Sequence, residues 1–378
     1  MCKRLALLLI LFAACKAPEG AKPEVKEIVI GEFGSMTGPE ATFGVSTHNG
    51  IMLAVEEINA AGGVKGRKIR VQSEDDQSRP EEAANAVTKL ISQDQVTAVL
   101  GEVASSNSLA AAPVCQSSRV PMITPSSTHP SVTRVGDFIF RMCFIDSYQG
   151  PVMAKYMREE LKVNTAALLQ DTRSDYSRGL GDAFAETFEK LGGKIVARQN
   201  FSKGDNDFRA QLTAIRAANP EVLFIPGYYN DVGQIAIQAR DLGMKMPLAG
   251  GDGWESPKLL EIGGKSLEGC YYSNHYFVDD PTPIVRAFVT KYQEKFSAKP
   301  DSLAALGYDS MHMLADAMSR APSLDGPSIR DQLAATKNFT GVTGTISLGP
   351  ARNPTGKKLV VLEVRKGELV MKKTIEPE

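Results

Sequence analysis

The stretch TAVLGEVASSNSLAAAPVCQSSRVPMITPSST, residues 97–128, holds two short apolar runs, 97–101 and 120–124, each followed by hydroxyl-bearing residues. Runs of this length rich in aliphatic side chains suit buried strands, and the segment between them, reaching Val114, has the length of a helix. A strand leading through a helix into another strand is the repeating unit of a parallel sheet. Upstream, 27–32 and 68–74 read as strands of the same kind. The helix between them carries Ile51, Ala54, Val55 and Ile58 on one face and stops at Gly62-Gly63, where glycine can take the left-handed cap. A further helix starts at Pro80, places Glu81 and Glu82 in its first turn, favourable against the helix dipole, and is expected to bury Ala84, Val87 and Ile91. The pattern restarts downstream with strands at 165–170, 194–199, 221–226 and 247–249, then helices at 284–295 and 303–321. A hairpin, 358–364 and 368–373, turns at Lys366-Gly367. The fold class expected is α/β, with two doubly wound parallel-sheet lobes.

Length agrees with two lobes, because the part of this 378-residue chain beyond the first 26 exceeds the roughly 250–300 residues at which single cores stop growing. A net charge of -1 with interspersed signs offers no footprint for nucleic acid. The one long apolar run, 5–14, follows Lys3 and Arg4, is too short to span a bilayer, and makes residues 1–14 a signal peptide. It ends Phe12-Ala13-Ala14-Cys15, which resembles a bacterial lipobox, so Cys15 is the expected lipid anchor, the alternative being an ordinary signal peptide with an incidental cysteine. Residues 15–26, with two prolines, a glycine and no apolar period, form a solvated tether. Cys115, Cys143 and Cys270 are odd in number and lack C-x-x-C spacing, so at least one thiol is free; Cys143, in the apolar stretch 138–145, is expected to be buried and inert. His48, His129, His275 and His312 lack metal-ligand spacing, and no serine or cysteine sits in a nucleophile elbow. Neither a cofactor, a metal nor an enzyme is expected.

In open parallel sheets ligands bind beyond the carboxyl ends of the strands, where helix N-termini present unpaired N–H groups. Here those ends carry 102–108 with Ser105, 125–128 with Ser126 and Thr128, 171–176 with Tyr176, 227–228 with Tyr228, and 250–254 with Asp252 and Trp254. Singly, Ser105 reads equally as an N-cap, Ser126 and Thr128 as turn residues, and Asp252 as part of a glycine-rich turn. Together, hydroxyls from one lobe facing tyrosines and an acid from the other form a pocket for a zwitterion, with donors for a carboxylate and a counter-charge for an ammonium.

The chain resembles the branched-chain amino-acid-binding family of periplasmic binding proteins, type I fold. The resemblance rests on Gly34-Ser35-Met36-Thr37-Gly38 with Phe43-Gly44, on 58–66, Asp75-Asp76-Gln77, 122–125, 146–150, Gly227-Tyr228 and Gly307-Tyr308-Asp309, in that order. It implies a ligand cleft between the lobes, with Ser105, Ser126 and Thr128 on the ligand carboxylate and part of its ammonium. Tyr176 and Tyr228 would close from the facing lobe and Asp252 would be the ammonium counter-ion, shorter by a methylene than the glutamate frequent there. Ser126 replaces a frequent alanine, and Ala104 stands where some members have a cysteine. The wall is drawn from Phe43, Trp254, Tyr276 and the segment near Leu303; Trp254 reads equally as a residue packed under a loop, and Tyr276 as structural. The resemblance also implies crossings near Asp146, Asn274 and 349–354, giving an N-terminal lobe of 27–146 plus 275–350 and a C-terminal lobe of 147–274 plus 351–378. It further implies a Venus-flytrap closure over an amino acid, branched-chain foremost, delivery to an ABC transporter permease, and an extracytoplasmic place, periplasmic or at the cell surface. Other amino acids, γ-aminobutyrate or small amides are alternative ligands, and a ligand-sensing domain for a membrane receptor is an alternative role.

Overall fold

The computed structural model describes residues 27–377; the leader, Cys15 and the tether lie outside them. β1 (Ile28–Gly34), α1 (Ala41–Ala60), β2 (Ile69–Asp75), α2 (Pro80–Ser92), β3 (Ala98–Leu100), α3 (Ser105–Ser118), β4 (Met122–Thr124), α4 (Ser131–Arg134) and β5 (Ile139–Arg141) build the first lobe's sheet. Its five strands run parallel in the order β2-β1-β3-β4-β5. Alternation along each strand sends Ile28, Ile30 and Leu100 to one face, against Ile51, Ala54 and Met311, and Phe33 and Val99 to the other, against Val87, Leu90 and Ala112.

The second lobe follows with α5 (Asp146–Glu159), β6 (Thr165–Asp171), α6 (Asp175–Lys190), β7 (Lys194–Phe201), α7 (Arg209–Ala217), β8 (Val222–Ile225), α8 (Tyr229–Asp241), β9 (Leu248–Gly250), α9 (Pro257–Gly263) and β10 (Tyr271–Asn274). The chain then gives α10 (Pro283–Phe296), α11 (Ser302–Arg320), α12 (Gly326–Ala334), β11 (Phe339–Gly341), β12 (Gly344–Leu348) and β13 (Pro354–Thr355), and finishes with β14 (Leu359–Arg365) and β15 (Glu368–Ile375). The second sheet has the order β15-β14-β10-β9-β8-β6-β7, parallel from β10 to β7 with the final hairpin antiparallel at its edge. On β8, Leu223 and Ile225 pack towards α7 and α8, and Val222 and Phe224 towards α5 and α6. This is two doubly wound α/β lobes, and among the described residues no helix is long and apolar enough to cross a membrane.

Expected strands and helices recur within a few residues, including the hairpin, whose turn residues Lys366 and Gly367 both have positive φ. Three corrections stand out. α2 buries Ala83, Ala86, Val87 and Leu90, while Ala84 and Ile91 are only partly buried; alanines on neighbouring faces had left the apolar stripe ambiguous. β5 and β10 were not read as strands. Neither was the small antiparallel sheet β11-β12-β13, whose strands are two to five residues long. Cys115, Cys143 and Cys270 are free and buried, and burial pushes the Cys143 thiol up to about 12, an inert state.

Candidate functional site

On the first lobe, the loops after β3 and β4 are fixed from beneath by buried polar groups. Glu102 accepts from the Ser35 amide (2.8 Å) and hydroxyl (2.7 Å), and also from the Ala104 amide. Asp76 accepts from Asn107 Nδ2 at 3.0 Å, its Oδ1 lies 3.0 Å from Ser35 Oγ, and burial raises the pKa of both acids. Ser127 Oγ joins the two loops, donating to the Glu102 carbonyl at 2.9 Å. Arg141 of β5, wholly buried, donates to the carbonyls of Ser127 and His129 and, through Nε, to Asn353 Oδ1 at 2.8 Å. Ser105 opens α3 but does not cap it; its hydroxyl accepts from the His129 amide at 3.2 Å. With the backbone so held, Ser126 Oγ and Thr128 Oγ1 are buried without a well-formed hydrogen bond among the described residues.

The facing lobe contributes an aromatic row. The rings of Tyr176 and Tyr228 stack at 5.2 Å, Phe43 from α1 meets Tyr228 edge-on at 5.3 Å, and Tyr176 Oη accepts from the Gly253 amide at 2.9 Å. Burial holds the Tyr176 phenol well above its ordinary pKa, so it is a neutral hydroxyl. Asp252 lies in the turn after β9 and donates its amide to Gln149 Oε1 at 2.8 Å. Its Oδ2 meets His275 Nε2 at 2.9 Å, and its Oδ1 has no partner among the described residues. Trp254 is fully buried, donates Nε1 to the Ile225 carbonyl at 2.9 Å, and packs with Tyr272 in the core that also holds Phe43 and Leu303. Tyr276 is structural, its hydroxyl on the Pro300 carbonyl at 2.6 Å.

Two groups of the site were not assigned to it from sequence. Asp146, at the start of α5, is buried with Oδ2 lacking a well-formed bond, and burial, then the charge of Asp252, push its pKa up to about 8. His275 was weighed only as a metal ligand. Had β10 been read as a strand, the strand-end rule that found Asp252 would have found His275 one residue beyond it.

Around this centre the lobes meet through polar bridges. Ser106 Oγ donates to Asp175 Oδ2 at 2.9 Å, Lys203 Nζ donates to Glu40 Oε2 and the Ser78 carbonyl at 2.7 Å each, and Tyr229 Oη donates to the Pro39 carbonyl at 2.9 Å. A cavity of about 370 Å³ opens at this seam, lined by Ser78, Asn107, Arg173, Lys203, Tyr228 and Asp231. None of Ser126, Thr128, Asp146 and Asp252 lines this cavity; Ser126 Oγ, Thr128 Oγ1, Asp146 Oδ2 and Asp252 Oδ1 are buried without a well-formed hydrogen bond among the described residues, polar groups that a guest with matching donors and acceptors would satisfy.

A family model described as periplasmic binding protein matches residues 27–368. An amino acid binding protein of Pseudomonas aeruginosa is 34% identical over 304 residues, 79% of this chain and 80% of its own. Among solved structures, the leucine-binding protein LivK of Thermotoga maritima superposes with a TM-score of 0.89 at 38% identity, over 93% of this chain and 99% of that one. LivJ of Streptococcus pneumoniae, a branched-chain amino acid transporter substrate-binding protein in complex with isoleucine, gives 0.88 at 34% identity, over 93% and 100%.

Proposed function

The chain belongs to the periplasmic binding protein family, and from that premise we propose that it is an extracytoplasmic lipoprotein that captures an amino acid, branched-chain foremost, and delivers it to an ABC transporter permease. The observation that carries this reading is the set of buried oxygens that lack a well-formed hydrogen bond among the described residues, Ser126 Oγ, Thr128 Oγ1, Asp146 Oδ2 and Asp252 Oδ1, together with the Phe43, Tyr228, Tyr176 row. Ser105, Ser126 and Thr128 take the carboxylate, Asp252 the ammonium, and Tyr176 and Tyr228 close over the ligand, with Phe43 and Trp254 on the apolar side. The lobes are 27–146 with 275–350 and 147–274 with 351–378, and the ligand favours their closed arrangement by touching both at once. Cleavage after residue 14 leaves Cys15 as the lipid anchor, and the tether lets the lobes reach the permease.

The test is a melting screen of residues 27–378 against the common amino acids, γ-aminobutyrate and small amides. Ligand at 100 times its dissociation constant adds about 2.7 kcal/mol, a shift of about 4 °C for a chain of this size. Aliphatic amino acids should give the shift, and Asp252→Ala should cost about 2–5 kcal/mol of their affinity, as when one partner of a buried charge pair is removed. Silence from every amino acid sinks the reading.

A further inference from the structure

Asp252 does not face the ligand site alone. His275, whose side chain is fully buried, puts Nε2 at 2.9 Å from Asp252 Oδ2, while Asp252 Oδ1 and His275 Nδ1 have no partner among the described residues. The imidazole is clamped on its flat side, stacked at 3.9 Å and 26° on Phe144, and its own amide donates to Asn274 Oδ1 at 2.7 Å. Phe144 precedes α5 and His275 follows β10, so the ring sits between two of the segments that join the lobes.

A carboxylate only accepts hydrogen bonds, so the proton of a neutral imidazole belongs on Nε2, and Nδ1 keeps its lone pair. Burial holds the ring's pKa below its ordinary value, which keeps it neutral at neutral pH. Lys357, the buried cation nearby, donates to Thr343 Oγ1. A neutral donor orients a carboxylate without cancelling its charge, whereas a lysine or arginine in the same place would cancel it. The geometry points to His275 as a positioning residue for amine recognition: it holds Asp252 Oδ2 so that Oδ1 and the full negative charge remain for the ligand's ammonium. This rests on reading Asp252 as the ammonium counter-ion.

A residue acting through Asp252 affects ligands that carry an ammonium and spares those that lack one. Titration calorimetry with leucine and with 4-methylpentanoate, the same skeleton without its amine, reads that difference. In wild type, leucine should bind far more tightly. His275→Phe, which keeps the stack on Phe144, and His275→Ala, which relieves any crowding, should each reduce the preference for leucine by about 10- to 100-fold, the weight of a hydrogen bond to a charged group. Affinity for 4-methylpentanoate should stay within about threefold, smaller than the weight of one such bond. His275→Gln, whose amide N–H reaches a similar place, should restore most of the preference, and in an Asp252→Asn background the histidine substitutions should change it no further. Equal weakening of both ligands, or an unchanged preference, overturns the inference while leaving Asp252 in place. A wild type that binds both ligands equally overturns the reading of Asp252 and this inference with it.

Discussion

Asp146 is a carboxyl group in a place that penalises its charge twice, first by removing it from water and then by setting it near Asp252; Thr128 and Arg141 offset only part of this. Its folded value of about 8 lies above the ordinary 3.8, so between those values the native state keeps a proton that the unfolded chain has lost. The stability this proton represents is fully present below about pH 4 and is lost as pH rises through 8. Asp231 and Glu255, each pushed up to about 7 by burial, work in the same direction, so the ligand-free domain should melt at lower temperature as pH climbs from 5 towards 8. Asp146→Asn removes one contributor, and its melting temperature should fall less steeply over that interval. Parallel slopes for variant and wild type in a pH series of thermal melts would show that Asp146 is ionised in the fold. At this scale the sequence shows residue types but not neighbours. Asp252 was legible because a glycine-rich strand end displayed it. Asp146 and His275 were not, because neither lies at the end of a strand run read from the sequence, and each acquires meaning only when separate segments bring it to Asp252.

α1 and α11 pack almost backbone to backbone. A Cβ at Gly50 would lie 1.9 Å from the Ala304 carbonyl oxygen, and one at Gly307 would lie 2.5 Å from that of Thr47. The two glycines therefore set the spacing of the helices, and α1 carries Phe43 at the cleft. Gly50→Ala gains helix propensity but must push α11 away, and overpacking of this kind costs about 1–3 kcal/mol net. The expected outcome in urea melts is a lower midpoint at unchanged slope, together with weaker ligand binding as Phe43 shifts against Tyr228. A variant as stable as wild type would mean that the helices separate freely. The apolar face of α1, Ile51, Ala54 and Val55, was readable from its period. The glycine seam was not, because a missing side chain has no periodic signal until its partner helix, some 250 residues away, is known.

Alternation of strand and helix was enough to read two parallel-sheet lobes, because each strand run is apolar and each helix faces a sheet. What escaped is the short edge strand β5, the strand β10, the small β11-β12-β13 sheet and the contacts that hold the lobes together, most of which depend on how separate stretches meet. Among those contacts, Lys203 bonds Glu40 and the Ser78 carbonyl, and Glu40 is only 2% exposed as a residue although it sits at the seam. On the proposed closure, parting the lobes would return Glu40 to water and closing them would leave it needing the lysine, because a buried carboxylate without a partner is penalised. Lys203→Met should therefore disfavour closure by about 1–2 kcal/mol, between the worth of an exposed pair and the cost of stranding a buried one, and speed ligand release roughly 5- to 30-fold. Because neither residue belongs to the group of oxygens proposed to hold the ligand, the factor should be the same for leucine, isoleucine and valine in stopped-flow dissociation, and small-angle scattering should show a larger open fraction at subsaturating ligand. A change confined to one amino acid would place Lys203 in ligand selection, and no change in release would mean that the ligand alone holds the lobes shut.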